Sequence, residues 1–285
     1  MSEPGQAQVG QVFERARAQR RAALVGYLPT GYPSVDDAAA AMTAMVDAGV
    51  DLVEVGLPYS DPLMDGPVIQ QAVDAALRAG TTTADVLRTV ERLRAHGATA
   101  VVMSYWNPIE RYGVDAFAAG LAAAGGVGVI TPDLTPEESG PWVAATDAAG
   151  IDRIYLVAPS STDARIAVVS DATTGFVYAA STMGVTGART TVSASAAGLV
   201  ERVRAVTTLP VAVGVGVSTG AQAAEVAAYA DGVIVGSAFV RLVLEAPTAA
   251  AAVDAVARLS AELAAGVRAG RTAVPAPGRP AGSPA

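Results

Sequence analysis

Short runs rich in valine, isoleucine and leucine return eight times along this chain, at residues 23–28, 52–56, 98–105, 126–131, 153–158, 176–181, 211–216 and 232–236. Runs that are apolar almost throughout, rather than at alternate positions, mark strands covered on both faces. Between them lie stretches of helical periodicity, among them 34–48, 83–95, 136–149 and 221–230. Three close on a glycine where a helix C-terminus favours one: Gly49, Gly97 and Gly150. Strand and helix alternate, so the sheet is parallel and helices connect its strands. Eight such units close a ring. The expected fold is α/β, a single (β/α)8 TIM barrel. An extra N-terminal helix at 9–20 plugs its bottom, and an additional alanine-rich C-terminal helix runs from 250 to about 267. The barrel domain takes in residues 1–270. The Pro/Gly/Ala-rich segment 271–285 reads as a disordered tail, because it has too little apolar surface to bury.

Composition removes several function classes. The net charge is −8, aromatic residues make up 5% and no basic run stands out, which argues against a nucleic-acid surface. The first twenty-one residues are polar and arginine-bearing, with no apolar signal core. The longest uncharged stretches are cut by Pro210, Gly214, Gly216 and Gly220, so no membrane span is expected and the protein reads as soluble. Cysteine is absent, which excludes disulfides and thiolate chemistry and agrees with the cytoplasm. All nineteen basic residues are arginine, so no lysine Schiff base can form. A single histidine, His96, nearly excludes a histidine metal site or a Ser-His-Asp arrangement. Catalysis must then run on carboxylates, tyrosine, arginine and backbone amides.

The stretch DLVEVGLPYSDPLMDGP at 51–67 places Glu54 inside an apolar strand and Asp65 at the end of a Pro-rich loop. An unpaired carboxylate in such a run costs several kcal/mol to desolvate, so a raised pKa and a use in proton transfer are expected. Each residue has a plainer reading. Glu54 could be satisfied by backbone amides or an arginine, and Asp65 could cap the helix at 68–79. Barrel enzymes carry their function at the C-terminal strand ends, which lets both carboxyls approach one cavity.

Glycine-bearing turns follow the last three strands: Gly184 to Gly187, Gly214 with Gly216, and Gly236 with Ser237. Their amides could converge on an anion, and the last two stand where many barrels hold phosphate. Every strand-to-helix loop needs such glycines, so the placement, not the residue type, carries the argument. A dinucleotide reading of 214–220 fails on its GxGxxxG spacing and on the absence of an acidic residue ending the next strand. Tyr27, Tyr105, Trp106, Ile130, Leu156 and Tyr178 could wall a flat apolar substrate, or simply pack the barrel. Asn107, Tyr112 and Asp133 sit where they could serve only to hold loops.

The motifs GYLPTGYP, EVGLPYSDPLMDGP, SYWNPIERYGVDAF, PDLTPEES, YAASTMGVTGAR, GVGVS and GVIVGSAFV span residues 24–240. In that order they closely resemble the α subunit of tryptophan synthase. The resemblance implies retro-aldol cleavage of indole-3-glycerol phosphate to indole and glyceraldehyde 3-phosphate. It implies Glu54 and Asp65 as catalytic acids and Tyr178 as a positioning tyrosine. Phosphate would lie on Gly184, Gly214, Gly216, Gly236 and Ser237, and indole among Tyr27, Tyr105, Ile130, Leu156 and Thr186. It further implies mobile loops at 58–65 and 182–193 and no metal or cofactor in this chain. The partner would be a β subunit carrying pyridoxal phosphate, in an α2β2 tetramer, with Pro58 and Asp61 at the contact. Asp61 reads equally well as a solvated loop residue. Pro29, Thr30 and Trp106 are bulkier or stiffer than the family's usual residues there, which would narrow the indole pocket. Another phosphate-binding barrel enzyme explains the glycines and carboxylates but not the apolar lining. A catalytically silent partner of a β subunit fits poorly with both carboxylates and Tyr178 being present.

Overall fold

The computed structural model describes residues 8–181 and 189–272. Among them, nine strand segments form one parallel sheet: β1 (Ala23–Pro29), β2 (Leu52–Gly56), β3 (Ala100–Met103), β4 (Gly128–Ile130), β5 (Asp152–Ile154), β6 (Leu156–Val157), β7 (Val177–Ala180), β8 (Val211–Gly214) and β9 (Gly232–Val235). Their order is β5-β4-β3-β2-β1-β9-β8-β7-β6. The two ends of that order, β5 and β6, are halves of the fifth sequence run, separated by Tyr155 alone. At this point the strand changes partner. The Ile154 carbonyl accepts from Thr131 N–H at 3.2 Å on one side, and the Tyr155 carbonyl accepts from Tyr178 N–H at 3.2 Å on the other. The eight expected runs therefore close into a barrel.

Alternation divides the core in two. Inward residues Ala23, Val25, Leu52, Val101, Ile130, Ile154, Phe176, Ala212 and Ile234 form one cluster, joined by Val9, Val12, Phe13 and Ala16 of the N-terminal helix Gln8–Ala18. Outward residues such as Leu24, Val53, Val102, Val129, Val177 and Val233 form a larger cluster with the surrounding helices. This double burial is why the strands read as continuous apolar runs. The helix at the bottom is the expected plug. Phe13 packs on Phe176 with ring centroids 5.2 Å apart, and a Cβ at Gly232 would lie 2.8 Å from the Phe13 ring.

Polar groups fix the helices and the lower rim. Helix Thr83–Ala95 begins with a reciprocal capping box between Thr82 and Asp85. The Arg21 guanidinium donates to both oxygens of Asp51, at 2.5 and 2.7 Å, and Asp51 also accepts from Leu24 N–H at 2.9 Å. That bidentate pair ties the start of β1 to the start of β2. The C-terminal helix Ala249–Thr272 packs against the helices Gly220–Ala227 and Val35–Asp47. The expected tail beyond it lies outside the described residues.

Truncating Phe13 to alanine should empty the plug, since its side chain is 2% exposed. A loss of about 3–5 kcal/mol is expected in denaturant unfolding, with the site at the opposite end of the barrel little altered.

Candidate active site

At the C-terminal ends of the strands lies a cavity of about 460 Å³. Tyr27 and Glu54 face it from β1 and β2, where they are register partners. Met103, Leu156, Tyr178, Gly214 and Ile234 add the ends of the other strands. Met64, Asp65, Gly66 and Ile69 close one side, and Gly216, Gly236 and Ser237 close another. The cavity thus brings together Glu54, Asp65, Tyr178, Tyr27, Leu156 and four of the five expected phosphate-site residues. Gly184 and Thr186 lie outside the described residues.

Glu54 is 2% exposed, and its Oε1 has no hydrogen-bond partner among the described residues. The structural reading, a carboxylate satisfied by amides or an arginine, is therefore not what is found. Burial pushes its pKa up to about 8, so the carboxyl is mostly protonated at neutral pH. Burial also raises Asp65, partly offset by the Tyr105 phenol beside it. Asp65 does not cap the following helix Pro67–Arg78, whose N-cap is Gly66. Two carboxyls in one cavity are thus held in different environments, one with its Oε1 unpartnered among the described residues and one beside a phenol.

The two phenols reach the cavity because glycines make room. A Cβ at Gly56 would fall 2.6 Å from the Tyr27 hydroxyl oxygen, and one at Gly214 would fall 2.7 Å from that of Tyr178. Both phenols are raised well above the usual tyrosine range by burial, then by the nearby Glu54 and Asp65, so both remain donors. On the opposite side, Gly216 has φ +73, a conformation suited to glycine, and Gly236 precedes helix Ser237–Glu245. Among the described residues that line the cavity there is no arginine. An anion there would rest on backbone amides and a helix N-terminus.

Other expected residues lie elsewhere. Ile130 is fully buried in the inner barrel cluster. Tyr105 stands behind the cavity, under the loop at 57–66, where its hydroxyl accepts from Met64 N–H at 3.0 Å. Trp106 packs edge-on against Trp142 at 5.8 Å, and its backbone N–H donates to the Asp133 carboxylate at 2.9 Å, which makes Asp133 a loop tie. Asn107 and Tyr112 are exposed. Asp61 is exposed and accepts from Ser60 at 2.5 Å. Pro58 is buried and borders a second cavity with Leu57, Pro108 and Tyr112. Met64, Ile69, Met103 and Ile234 were not singled out from the sequence. Counting inward positions along β3 and β9 would have found the last two.

A family model described as tryptophan synthase alpha chain matches residues 13–268. The chain belongs to the tryptophan synthase alpha chain family. A relative of that name from Thermobifida fusca is 64% identical over 257 residues, covering 89% of this chain and 95% of the relative. One from Mycobacterium tuberculosis is 58% identical over 265 residues, covering 93% and 96%. A solved tryptophan synthase structure from M. tuberculosis superposes with a TM-score of 0.86 at 57% identity, over 92% of this chain and 99% of that one. A solved tryptophan synthase alpha chain from Legionella pneumophila gives 0.84 at 32% identity, over 92% and 98%. The barrel is therefore that of the tryptophan synthase alpha chains, and the cavity described above lies within the matched region.

Glu54 sets a pH dependence of stability. Its folded pKa is about 8 against an ordinary value of 4.5, so between these values the unfolded chain binds fewer protons and stability falls as pH rises. Glu54→Gln removes that loss. Its stability advantage over wild type should grow from pH 5 to pH 8 by roughly 2–4 kcal/mol, measured by urea unfolding at both pH values. Gly214→Ala should displace the Tyr178 phenol, visible as altered ring contacts in a crystal structure of the variant.

Proposed function

We propose that this chain cleaves indole-3-glycerol phosphate to indole and glyceraldehyde 3-phosphate by a retro-aldol reaction. The observation that carries the reading is Glu54, a buried carboxyl without a partner, protonated at neutral pH and sharing a cavity with a second carboxyl. Breaking the bond at indole C3 requires that carbon to become tetrahedral, which places positive charge on the ring nitrogen. Glu54 donates its proton to C3. Asp65 accepts a hydrogen bond from the indole N–H and stabilises the cation. Glu54, now a carboxylate, takes the proton of the glyceryl hydroxyl as the carbon–carbon bond breaks and its electron pair returns to the ring. The proton that left Glu54 is thereby replaced.

Tyr178, Tyr27, Leu156 and Met103 wall the indole, with Thr186, Tyr105 and Ile130 assigned to the same region from the sequence. The phosphate rests on the amides of Gly184, Gly214, Gly216, Gly236 and Ser237. The ring itself acts as electron sink, so the reading needs no cofactor in this chain. It includes a β subunit carrying pyridoxal phosphate, an α2β2 assembly, and contact through the loop bearing Pro58 and Asp61. Leu63, 79% exposed, and Met64, 53% exposed, support a docking role for that loop. A cytoplasmic location goes with this biosynthetic role; no helix among the described residues is long and apolar enough to cross a membrane.

The test is indole release from indole-3-glycerol phosphate by wild type, Glu54→Gln and Glu54→Asp, each with and without a β subunit. Wild type should be active without added metal or pyridoxal phosphate and faster with the partner. Glu54→Gln should lose at least about 10²- to 10⁴-fold, and Glu54→Asp should also be slowed, because its carboxyl retreats by about an ångström. Because the first step needs protonated Glu54, kcat/KM should fall as pH rises through about 8. Wild type that releases no indole under either condition would leave another phosphorylated substrate, or a silent partner, as the better account.

A further inference from the structure

We propose that Tyr105 is a positioning residue for Asp65: its hydroxyl pins the loop at 57–66 and presents the Asp65 carboxyl to the cavity. The inference rests on the lyase reading for its effect on turnover, but the geometry is independent of it. Beyond its buried first residues, Leu57 and Pro58, the loop has little packing of its own. Leu63 and Met64 are exposed, and a cavity of about 470 Å³ lies between Tyr59, Ser60 and Pro62 and the helix Pro67–Arg78. Its fixed points are few, and two of them are Tyr105. The Met64 N–H donates to the Tyr105 hydroxyl at 3.0 Å, and the Tyr59 ring lies 5.4 Å from the Tyr105 ring. A third is Gln70, whose amide donates to the Asp65 carbonyl at 2.7 Å.

Tyr105 itself is held rigidly. It is 4% exposed, at the start of helix Trp106–Tyr112, and the next residue's N–H is tied to Asp133 across the barrel rim. A phenol has one proton to donate and lone pairs that accept. Here it accepts from Met64 N–H, and the phenol beside the Asp65 carboxyl favours the ionised form of that group. One hydroxyl thus fixes the backbone just before Asp65 and bears on the charge of its side chain. Burial raises the phenol to about 12, so it stays a donor through neutral pH. The phenol lowers the Asp65 pKa against the rise caused by burial, keeping more of the carboxyl ionised.

The experiment compares wild type, Tyr105→Phe, Asp65→Asn and the double variant in the α–β complex. Tyr105→Phe should lower kcat about 10- to 100-fold, change KM less, and move the acid limb of the pH profile to higher pH. In the Asp65→Asn background the same change should cost almost nothing, because Tyr105 acts through Asp65. In parallel, the Asp65 carboxyl is titrated by NMR in the resting protein, and Tyr105→Phe should raise its pKa. If Tyr105→Phe does not fold, 3-fluorotyrosine at position 105 serves instead; its more acidic hydroxyl should lower the Asp65 pKa. Full additivity with Asp65→Asn, or an Asp65 titration unmoved by the change at Tyr105, would overturn the proposal. If wild type releases no indole but the titration shifts as stated, the positioning contact stands and the lyase reading falls.

Discussion

Closing a parallel sheet on itself forces every second side chain of each strand into an interior that excludes water, and the chemistry of this protein depends on that constraint. Below the site the interior is filled by Ala23, Val25, Leu52, Val101 and Phe176, with Phe13 rising from the plug helix. At the level of Tyr27 one inward position carries a carboxyl, Glu54. Packing beneath it keeps the carboxyl 2% exposed, and that burial disfavours the anion, so the proton is held to higher pH. The same burial that weakens the fold above the carboxyl's ordinary range gives it the protonation state an acid catalyst needs. Stability and reactivity are here two consequences of one desolvation.

The two phenols obey the same geometry. Tyr27 and Tyr178 stand on strands on either side of β9, and each extends its hydroxyl across a glycine of a neighbouring strand, Gly56 or Gly214. A larger residue at either position would meet the phenol. Small residues at the upper ends of strands thus shape the cavity as much as the large ones do. The side toward Gly216, Gly236 and Ser237 is walled largely by backbone, which suits an anion held by amides rather than by a cation.

The loop after β2 has a different physics. It is long, carries exposed Leu63 and Met64, and spans a cavity rather than a packed core. Order at its end comes from a buried tyrosine on the neighbouring strand unit, itself tied by Asp133 to the unit beyond. Asp65 therefore depends on three successive strand–helix units, whereas Glu54 is placed directly by an inward position of its own strand.

That contrast marks what could be read from the residues. The eight apolar runs, the plug helix and the C-terminal helix were legible because burial on both faces and helical periodicity are written in local sequence. Glu54 was legible because a charge inside LVEVG has no local excuse. The sequence could not show that the fifth run changes partner at Tyr155, since pairing belongs to the neighbouring strands. Nor could it separate Tyr105, which lies under a loop, from Tyr27, which faces the cavity, because both are aromatic residues on or just after apolar runs. Met103 and Ile234 went unremarked for the same reason: whether an apolar residue at a strand end meets substrate or core depends on barrel closure and on the height at which its strand stops. The sequence by itself determined the barrel and the carboxyl within it. Tertiary structure alone decided which side chains surround that carboxyl, because those contacts join residues far apart in the chain.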